Sequence, residues 1–149
     1  MTDTAYLLDR LAIHDLQVEY TRALDANEFD RLANVFTPDA VVDIEGRGQF
    51  QGLDAISGVC SRSLSPLTAS QHFVGNHWAE IDGDTAVAGC YFQAQHRVEG
   101  AEGGPNHIVA GAYSDRLVRT DAGWRITHRT LKRMWTDGNA AVLPRIQTD

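Results

Sequence analysis

The sequence predicts an α+β domain in which N-terminal helices cover the concave side of one curved antiparallel sheet. Apolar residues recur every three to four positions before Pro38 and alternate with polar residues after it. Two hairpin signals, Asp82-Gly83 and the turn at residues 120–123, divide the second half of the chain into long strands. One such sheet with its helices forms a cone, and we expect a pocket in its open mouth, between the first helix and the sheet.

The region before Pro38 contains two predicted helices. The first is long and amphipathic, has Asp3 ahead of it as an N-cap, and ends near Asp25. Asn27 caps the second, which Pro38 ends because proline cannot continue a helical turn. The apolar residues that define the first helix are Leu8, Leu11, Ala12, Leu16, Tyr20, Ala23 and Leu24, and those that define the second are Phe29, Leu32, Val35 and Phe36.

The region after Pro38 is predicted to contain strands with one helix among them. Residues 42–51 form a hairpin around the turn at residues 46–48. The spacing of apolar residues predicts a helix over 53–63. The long strands that follow cover residues 72–81, 85–98, 108–119 and 124–135, and a polar, glycine-rich connection joins the middle two.

Composition excludes several classes of partner. The 149 residues, 43% hydrophobic and 22% charged, are typical of a single soluble domain over residues 1–149. The formal net charge is −7 without a basic cluster, so no nucleic acid partner is expected. No apolar run could cross a membrane, and Asp3 and Asp9 lie where a secretory signal would be positively charged. We therefore expect a cytoplasmic protein without a membrane partner.

Neither a metal nor a nucleotide cofactor is expected. Cys60 and Cys90 have no C-x-x-C spacing, and we interpret them as reduced thiols in or near the core. His72 and His77 are an odd number of positions apart in one strand, which predicts opposite faces and no shared metal. No glycine-rich phosphate-binding motif is present.

Asp25 and His72 are the best candidates for catalysis. Asp25 lies where the first helix ends, and His72 lies where the first long strand is predicted to begin. A histidine acts as a base when its tautomer and ring orientation are fixed. A carboxylate on the other ring nitrogen does both and stabilises the imidazolium. The alternative is a surface Asp at a helix end and an ordinary strand histidine.

Three segments together resemble the SnoaL-like part of the nuclear transport factor 2 superfamily: residues 22–25 (RALD), 30–40 (DRLANVFTPDA) and 71–76 (QHFVGN). Within it, the chain is most similar to scytalone dehydratase, bile acid 7α-dehydratase and γ-hexachlorocyclohexane dehydrochlorinase. The resemblance spans residues 5–136 and implies the same cone-shaped fold. It also implies a cofactor-independent elimination with His72 as the base that Asp25 orients. A homo-oligomer is expected too, a trimer or alternatively a dimer, since the convex face of the sheet has no helix to cover it.

The resemblance further implies substrate-binding or leaving-group roles for other residues. Arg129 matches an arginine near the leaving group of the dehydrochlorinase, and His96 lies near a second histidine that helps scytalone dehydratase protonate a departing hydroxyl. Tyr20 stands where the dehydrochlorinase has a catalytic lysine, which favours an oxygen leaving group over chloride. Tyr113 could line the same pocket. The alternatives are a solvated His96 and a Tyr113 that is an ordinary sheet aromatic.

The expected function is therefore a dehydratase-type elimination on a small hydrophobic, hydroxylated substrate, with cyclic and polycyclic compounds among the candidates. Isomerisation or cyclisation by the same base remains open, because both need one base, an oxyanion partner and a dry pocket. Non-catalytic small-molecule binding also remains open, because fold alone does not fix function. Side chains of Asp25 and His72 that point apart into solvent would favour binding over catalysis.

Overall fold

The computed structural model describes residues 4–144. Its helices and strands are, in chain order, α1 (Thr4–Asp25), a 3-10 helix (Phe29–Asn34), β1 (Phe36–Ile44), β2 (Gly48–Gln51), α2 (Leu53–Leu64), β3 (Ala69–Asp82), β4 (Thr85–Arg97), β5 (Asn106–Thr120), β6 (Gly123–Gly138) and a 3-10 helix (Ala140–Val142). The N-terminal helices pack on one curved, six-stranded sheet, which confirms the α+β prediction. The predicted N-cap Asp3 lies outside the described residues.

The sheet differs from the prediction in one strand pair. Its strand order is β2-β1-β6-β5-β4-β3. β1 runs parallel to β6, whereas the other neighbouring pairs are antiparallel. The two parallel strands are far apart in the chain, so no hairpin sets their relative direction. Within residues 4–144, β2 and β3 have a neighbouring strand on one side only, and the sheet is therefore not a closed barrel.

Asn27 ends α1 and does not start the next helix, contrary to the sequence prediction. It has a left-handed φ of 55°. Its backbone N–H donates to the Leu24 carbonyl at 3.1 Å, and the N–H of Glu28 donates to the Ala23 carbonyl at 3.0 Å. This pair of bonds with a left-handed residue is the Schellman end of a helix, a position that asparagine tolerates. Asp25 consequently occupies the last position of α1, as predicted.

The segment after Asn27 is a short 3-10 helix, and the chain is already extended at Phe36. Pro38 therefore lies inside β1 and does not end a helix. The pairing of β1 with β6 is irregular between Phe36 and Val41, so the missing N–H of proline removes no bond from a regular ladder. The apolar residues that suggested a longer helix are nevertheless buried: Leu32, Val35 and Phe36.

The buried face of α1 begins later than the sequence suggested. Leu8 and Leu11 in its first turns are more than half exposed, as is Leu7. The core-facing residues of α1 are Ile13, Leu16, Tyr20, Ala23 and Leu24. The core lies between this face, α2 and the inner side of the sheet, and it includes the free thiols Cys60 and Cys90. No helix within residues 4–144 has the length and apolarity required to span a bilayer.

A bulge in β3 reverses the alternation of its side chains. The pairing of β3 with β4 shifts by one residue between Gly75 and Trp78, and Asn76 adopts a left-handed φ of 54° there. An extra residue in one strand exchanges its inner and outer positions. His72 before the bulge and His77 after it both contact α1. The expectation that these two histidines lie on opposite faces is therefore wrong.

Candidate active site

Asp25 and His72 are in direct contact. Asp25 Oδ1 lies 2.6 Å from His72 Nδ1, and Asp25 Oδ2 accepts a hydrogen bond from the backbone N–H of His72 at 3.0 Å. Because the carboxylate is an acceptor, Nδ1 of a neutral His72 carries the hydrogen and Nε2 keeps its lone pair. The side chain of His72 is 5% exposed and that of Asp25 is 28% exposed. The end of α1 thus fixes both the tautomer and the ring orientation of His72.

His72 lines a cavity of about 450 Å³ between the helices and the inner face of the sheet. Asp25 is not among the lining residues, so it contacts His72 from outside the cavity wall. The apolar part of the wall includes Leu24, Val59, Leu64, Phe92, Val109 and Leu131. Volume and lining are those of a site for a small, largely apolar molecule.

Tyr20 and Tyr113 are neighbours in the cavity wall. Their ring centroids are 5.6 Å apart with an edge-to-face angle of 82°. Phe92 stacks on Tyr113 at 4.4 Å, and Gly111 leaves the space for it, since a Cβ there would lie 2.9 Å from the Phe92 ring. Burial raises the pKa of both tyrosines above its usual value. Both hydroxyls therefore stay protonated and can donate hydrogen bonds.

Arg129, which the resemblance places near the leaving group, is not among the residues that line the cavity. It is fully buried, and its Nε and Nη2 donate to the two carboxylate oxygens of Asp115 at 2.7 and 2.8 Å. Asp115 is its partner because the two residues lie opposite each other on β5 and β6. The guanidinium carbon is 4.4 Å from the Tyr20 ring centroid and 4.3 Å from that of Tyr113. Arg129 therefore contacts two side chains of the cavity wall through their rings.

His96 and His107 join His72 in the cavity wall. The ring centroid of His96 is 5.8 Å from that of His72 and 6.4 Å from that of His107. His96 Nδ1 donates to the backbone carbonyl of His107 at 3.2 Å. Burial, with the charge of a protonated His72, lowers the pKa of His96 to about 4. A neutral His96 in this tautomer accepts a hydrogen bond at Nε2.

His107, Arg47 and Arg133 also line the cavity, and none of them was identified from the sequence. His107 is buried, and its Nδ1 has no hydrogen-bond partner within residues 4–144. The strand register places His107 opposite His96. A hairpin centred on the glycine-rich connection, residues 100–105, would instead place Val109 opposite His96, so the sequence offered no direct signal for His107. Arg47 lies in the turn between β1 and β2, and no motif marks either arginine.

Cys60 lines the cavity, but its thiol is not activated. Burial raises its pKa to about 11, although a hydrogen bond from the Tyr20 hydroxyl to the sulfur opposes this rise. The thiol therefore stays protonated at neutral pH. In the described part of the chain, no three His, Cys, Asp or Glu side chains are grouped as metal ligands.

The chain is similar to a known protein family over most of its length. The model of the SnoaL-like domain matches residues 5–130. The chain belongs to the SnoaL-like family. This SnoaL-like protein is 35% identical over 133 residues to an uncharacterised protein of Mycobacterium tuberculosis, covering 87% of this chain and 88% of that protein. It is 33% identical over 146 residues to the terrestric acid biosynthesis cluster protein E of Penicillium crustosum, covering 93% and 92% of the two chains.

Enzymes are also among the proteins that this SnoaL-like protein resembles. It is 25% identical to the γ-hexachlorocyclohexane dehydrochlorinase of Sphingobium indicum, covering 87% of this chain and 83% of that enzyme. A crystal structure of a scytalone dehydratase-like protein from Novosphingobium aromaticivorans superimposes with a TM-score of 0.83. The identity is 26%, over 93% of this chain and 92% of that one. The family and the fold that the sequence segments suggested are thereby confirmed.

Proposed function

We propose that this SnoaL-like protein is a cofactor-independent lyase that removes water from a hydroxylated, largely apolar small molecule. One observation carries the proposal: His72, held at 2.6 Å by the Asp25 carboxylate, presents its ring to a cavity of about 450 Å³. A fixed imidazole with a carboxylate partner is an acid/base unit, and the cavity gives a substrate access to it. The similarity to a dehydrochlorinase and to a scytalone dehydratase-like protein supports an elimination.

The reaction begins with proton transfer to His72. Its Nε2 takes a proton from a substrate carbon that lies next to an activating group such as a carbonyl. The electron pair of that C–H bond forms the new double bond, and the C–O bond on the adjacent carbon breaks. Asp25 stabilises the imidazolium during this step, because its carboxylate balances the charge. The products are an alkene and hydroxide.

The two tyrosines of the cavity wall stabilise the departing oxygen. Tyr20 and Tyr113 have raised pKa values because they are buried, so their neutral hydroxyls donate hydrogen bonds to the oxygen as negative charge develops. The imidazolium of His72 then supplies the proton that converts hydroxide to water. His96, neutral with a free Nε2, accepts a hydrogen bond from a substrate hydroxyl and orients it. The guanidinium of Arg129 packs against the rings of both tyrosines and helps to position them.

A screen followed by mass spectrometry tests the proposal. Hydroxylated ketones, including steroid-like and polyketide-like compounds, are first ranked by the increase in Tm they cause. We expect at least one stabilising compound to lose one water in the presence of the wild-type protein and to remain unchanged with His72→Ala. A product of unchanged mass would identify an isomerase or cyclase instead. A compound that raises Tm without reacting would identify a binding protein.

We also propose that the protein is a homo-oligomer, with the trimer that the resemblance implies as the first candidate and a dimer as the second. Large apolar side chains are exposed on the outer side of β3 and β4, namely Phe73, Trp78, Val87 and Tyr91. Covering these apolar side chains in a subunit interface is favourable, because it removes apolar surface from water. Light scattering at micromolar concentration is expected to give a multiple of 16.4 kDa, and a mass near 16.4 kDa would contradict the proposal.

A further inference from the structure

Two arginines lie in the cavity wall on the side of β6 and the β1–β2 turn. Arg47 occupies the turn and Arg133 lies on β6. The Arg133 guanidinium packs against the turn, since its Nη2 would be only 3.0 Å from a Cβ at Gly46. Burial lowers the pKa of Arg47, and the positive charge of the nearby Arg133 lowers it further. Positive charge is thus concentrated at one place in a cavity that His72, His96 and His107 also line.

The described protein leaves this charge largely uncompensated. Arg47 Nη1 donates to Ser63 Oγ at 3.0 Å. Within residues 4–144, neither arginine has a carboxylate oxygen within 4.0 Å of its guanidinium. The nearby Glu45 also lines the cavity, but its Oε2 accepts the backbone N–H of Arg133 at 2.8 Å and the side chain is otherwise exposed. Most N–H donors of a half-buried Arg47 therefore remain available to a bound molecule.

We propose that the substrate carries a carboxylate that Arg47 and Arg133 bind, while its hydroxylated end lies against His72. Guanidinium groups prefer carboxylates because two parallel N–H donors match the two oxygens. The protein has a net charge of −7, so an anionic substrate needs such a local cationic site to enter the cavity. Only the assignment of the hydroxylated end rests on the proposed lyase function. The binding of a carboxylate does not.

The strand order indicates the length of such a substrate. Arg133 lies on β6 and His72 on β3, three strand spacings away. Strands are about 4.8 Å apart, so the two strands are separated by about 14 Å along the sheet. Both side chains extend into the cavity from their strands and shorten this span. This distance matches the length of a hydroxy acid that contains one ring or two fused rings.

Calorimetric titration with a pair of matched probes tests the inference. The probes are 6-hydroxy-2-naphthoate and 6-hydroxy-2-naphthamide, which share the bicyclic ring and the hydroxyl but differ in charge. We expect the wild-type protein to bind the carboxylate roughly 10- to 100-fold more tightly than the amide, as charge-assisted hydrogen bonds do. Arg47→Gln and Arg133→Gln should each remove most of this preference, because each weakens binding of the carboxylate far more than binding of the neutral amide.

Arg62→Gln is the matched control, because Arg62 is exposed on α2, is not a lining residue and changes the net charge equally. It should retain the wild-type preference. Equal Kd values for the two probes, no binding of the carboxylate at millimolar concentration, or a preference that survives in the Arg47→Gln/Arg133→Gln double variant would each overturn the inference. The probes undergo no elimination, so the two proposals fail separately. If the wild-type protein shows no preference for the carboxylate but His72-dependent water loss is intact, only the carboxylate site is rejected. A clear preference without any water loss rejects only the lyase.

Discussion

Helix α1 holds two histidines of β3 by similar hydrogen bonds, but only one of them lines the cavity. Asp25 Oδ1 lies 2.6 Å from His72 Nδ1, and Gln17 Oε1 lies 2.6 Å from His77 Nδ1. The two helical positions are eight residues apart, or about 12 Å along the axis. The two histidines are about 13 Å apart along the strand once the bulge is allowed for. One face of α1 therefore meets both rings.

The two pairs differ in charge and in access. The Asp25 carboxylate can balance an imidazolium, whereas the Gln17 amide cannot. Burial, together with the charge of a protonated His14 whose ring centroid is 4.1 Å away, lowers the pKa of His77. His77 is also absent from the cavity wall. A short hydrogen bond to Nδ1 therefore positions a histidine. A carboxylate partner and access to the cavity are the two further features that favour a role as a base.

Removing each histidine in turn gives the largest expected contrast. His72→Ala should lower kcat by about 10²- to 10⁴-fold, because the group that takes the proton is lost. His77→Ala, with the same side-chain truncation on the same strand, should leave kcat unchanged. Both variants should fold, as judged by circular dichroism, and kcat is measured with a compound that loses water. A His72→Ala protein with wild-type kcat would end the hypothesis that His72 is the base.

Asp25→Asn converts the first pair into a copy of the second. The amide can still touch the imidazole, but it can hold the wrong tautomer and does not stabilise the imidazolium. We expect kcat to fall by about 10²-fold, a loss no greater than that of His72→Ala. Steady-state kinetics of the two variants, measured side by side, check this order. Full activity in Asp25→Asn would mean that the charge of residue 25 does not matter.

His96 shares the cavity with His72 but has no carboxylate partner within residues 4–144. Its pKa is lowered to about 4 by burial, from an ordinary 6.5. The unfolded chain therefore binds a proton that the folded protein does not, and the free energy of unfolding falls as the pH drops from about 6.5 to 4. The largest loss is about 3 kcal/mol, at 1.36 kcal/mol per pKa unit.

Urea denaturation at several pH values between 7.5 and 4 measures this effect. The wild-type protein should lose stability over that window more steeply than His96→Gln, in which position 96 carries no imidazole to be protonated. The carboxylates titrate in both proteins alike and cancel in the comparison. Equal pH dependence of the two proteins would show that His96 is protonated as easily in the folded state as in the unfolded state.

Local sequence signals predicted much of this site. The end of α1 at Asp25 follows from a periodic apolar pattern, and the strand that carries His72 follows from alternation and an Asp-Gly turn. These features depend on residues that are neighbours in the chain. These positions singled out Asp25 and His72, the resemblance supported the same pair, and the structure brings the two side chains together.

Features that depend on register could not be predicted in the same way. Asn76 tolerates a left-handed conformation but does not demand it, so the bulge that turns His77 towards α1 has no unambiguous signal. The contact of Arg129 with Asp115 requires the register of β5 on β6, which itself shifts between Arg116 and Leu117. One residue of slip exchanges the two faces of a strand. The pairing of Arg129 with Asp115, behind the cavity wall, was not predictable from the sequence for that reason.

Gln17→Glu tests the comparison from the opposite side by giving His77 a carboxylate at the position that now holds an amide oxygen. A negative partner favours the imidazolium, so the pKa of His77 should rise by about one unit, equivalent to about 1.4 kcal/mol. NMR titration of the histidine ring protons measures this shift, and Gln17→Met provides a control of similar length that adds no charge. The same substitution in a His72→Ala background should restore no water loss, because His77 would then have its carboxylate but still no cavity. Recovered activity in that double variant would show that access to the cavity is not what separates the two histidines. An unchanged pKa of His77 in Gln17→Glu would show that the side chain of residue 17 does not contact the His77 ring in solution.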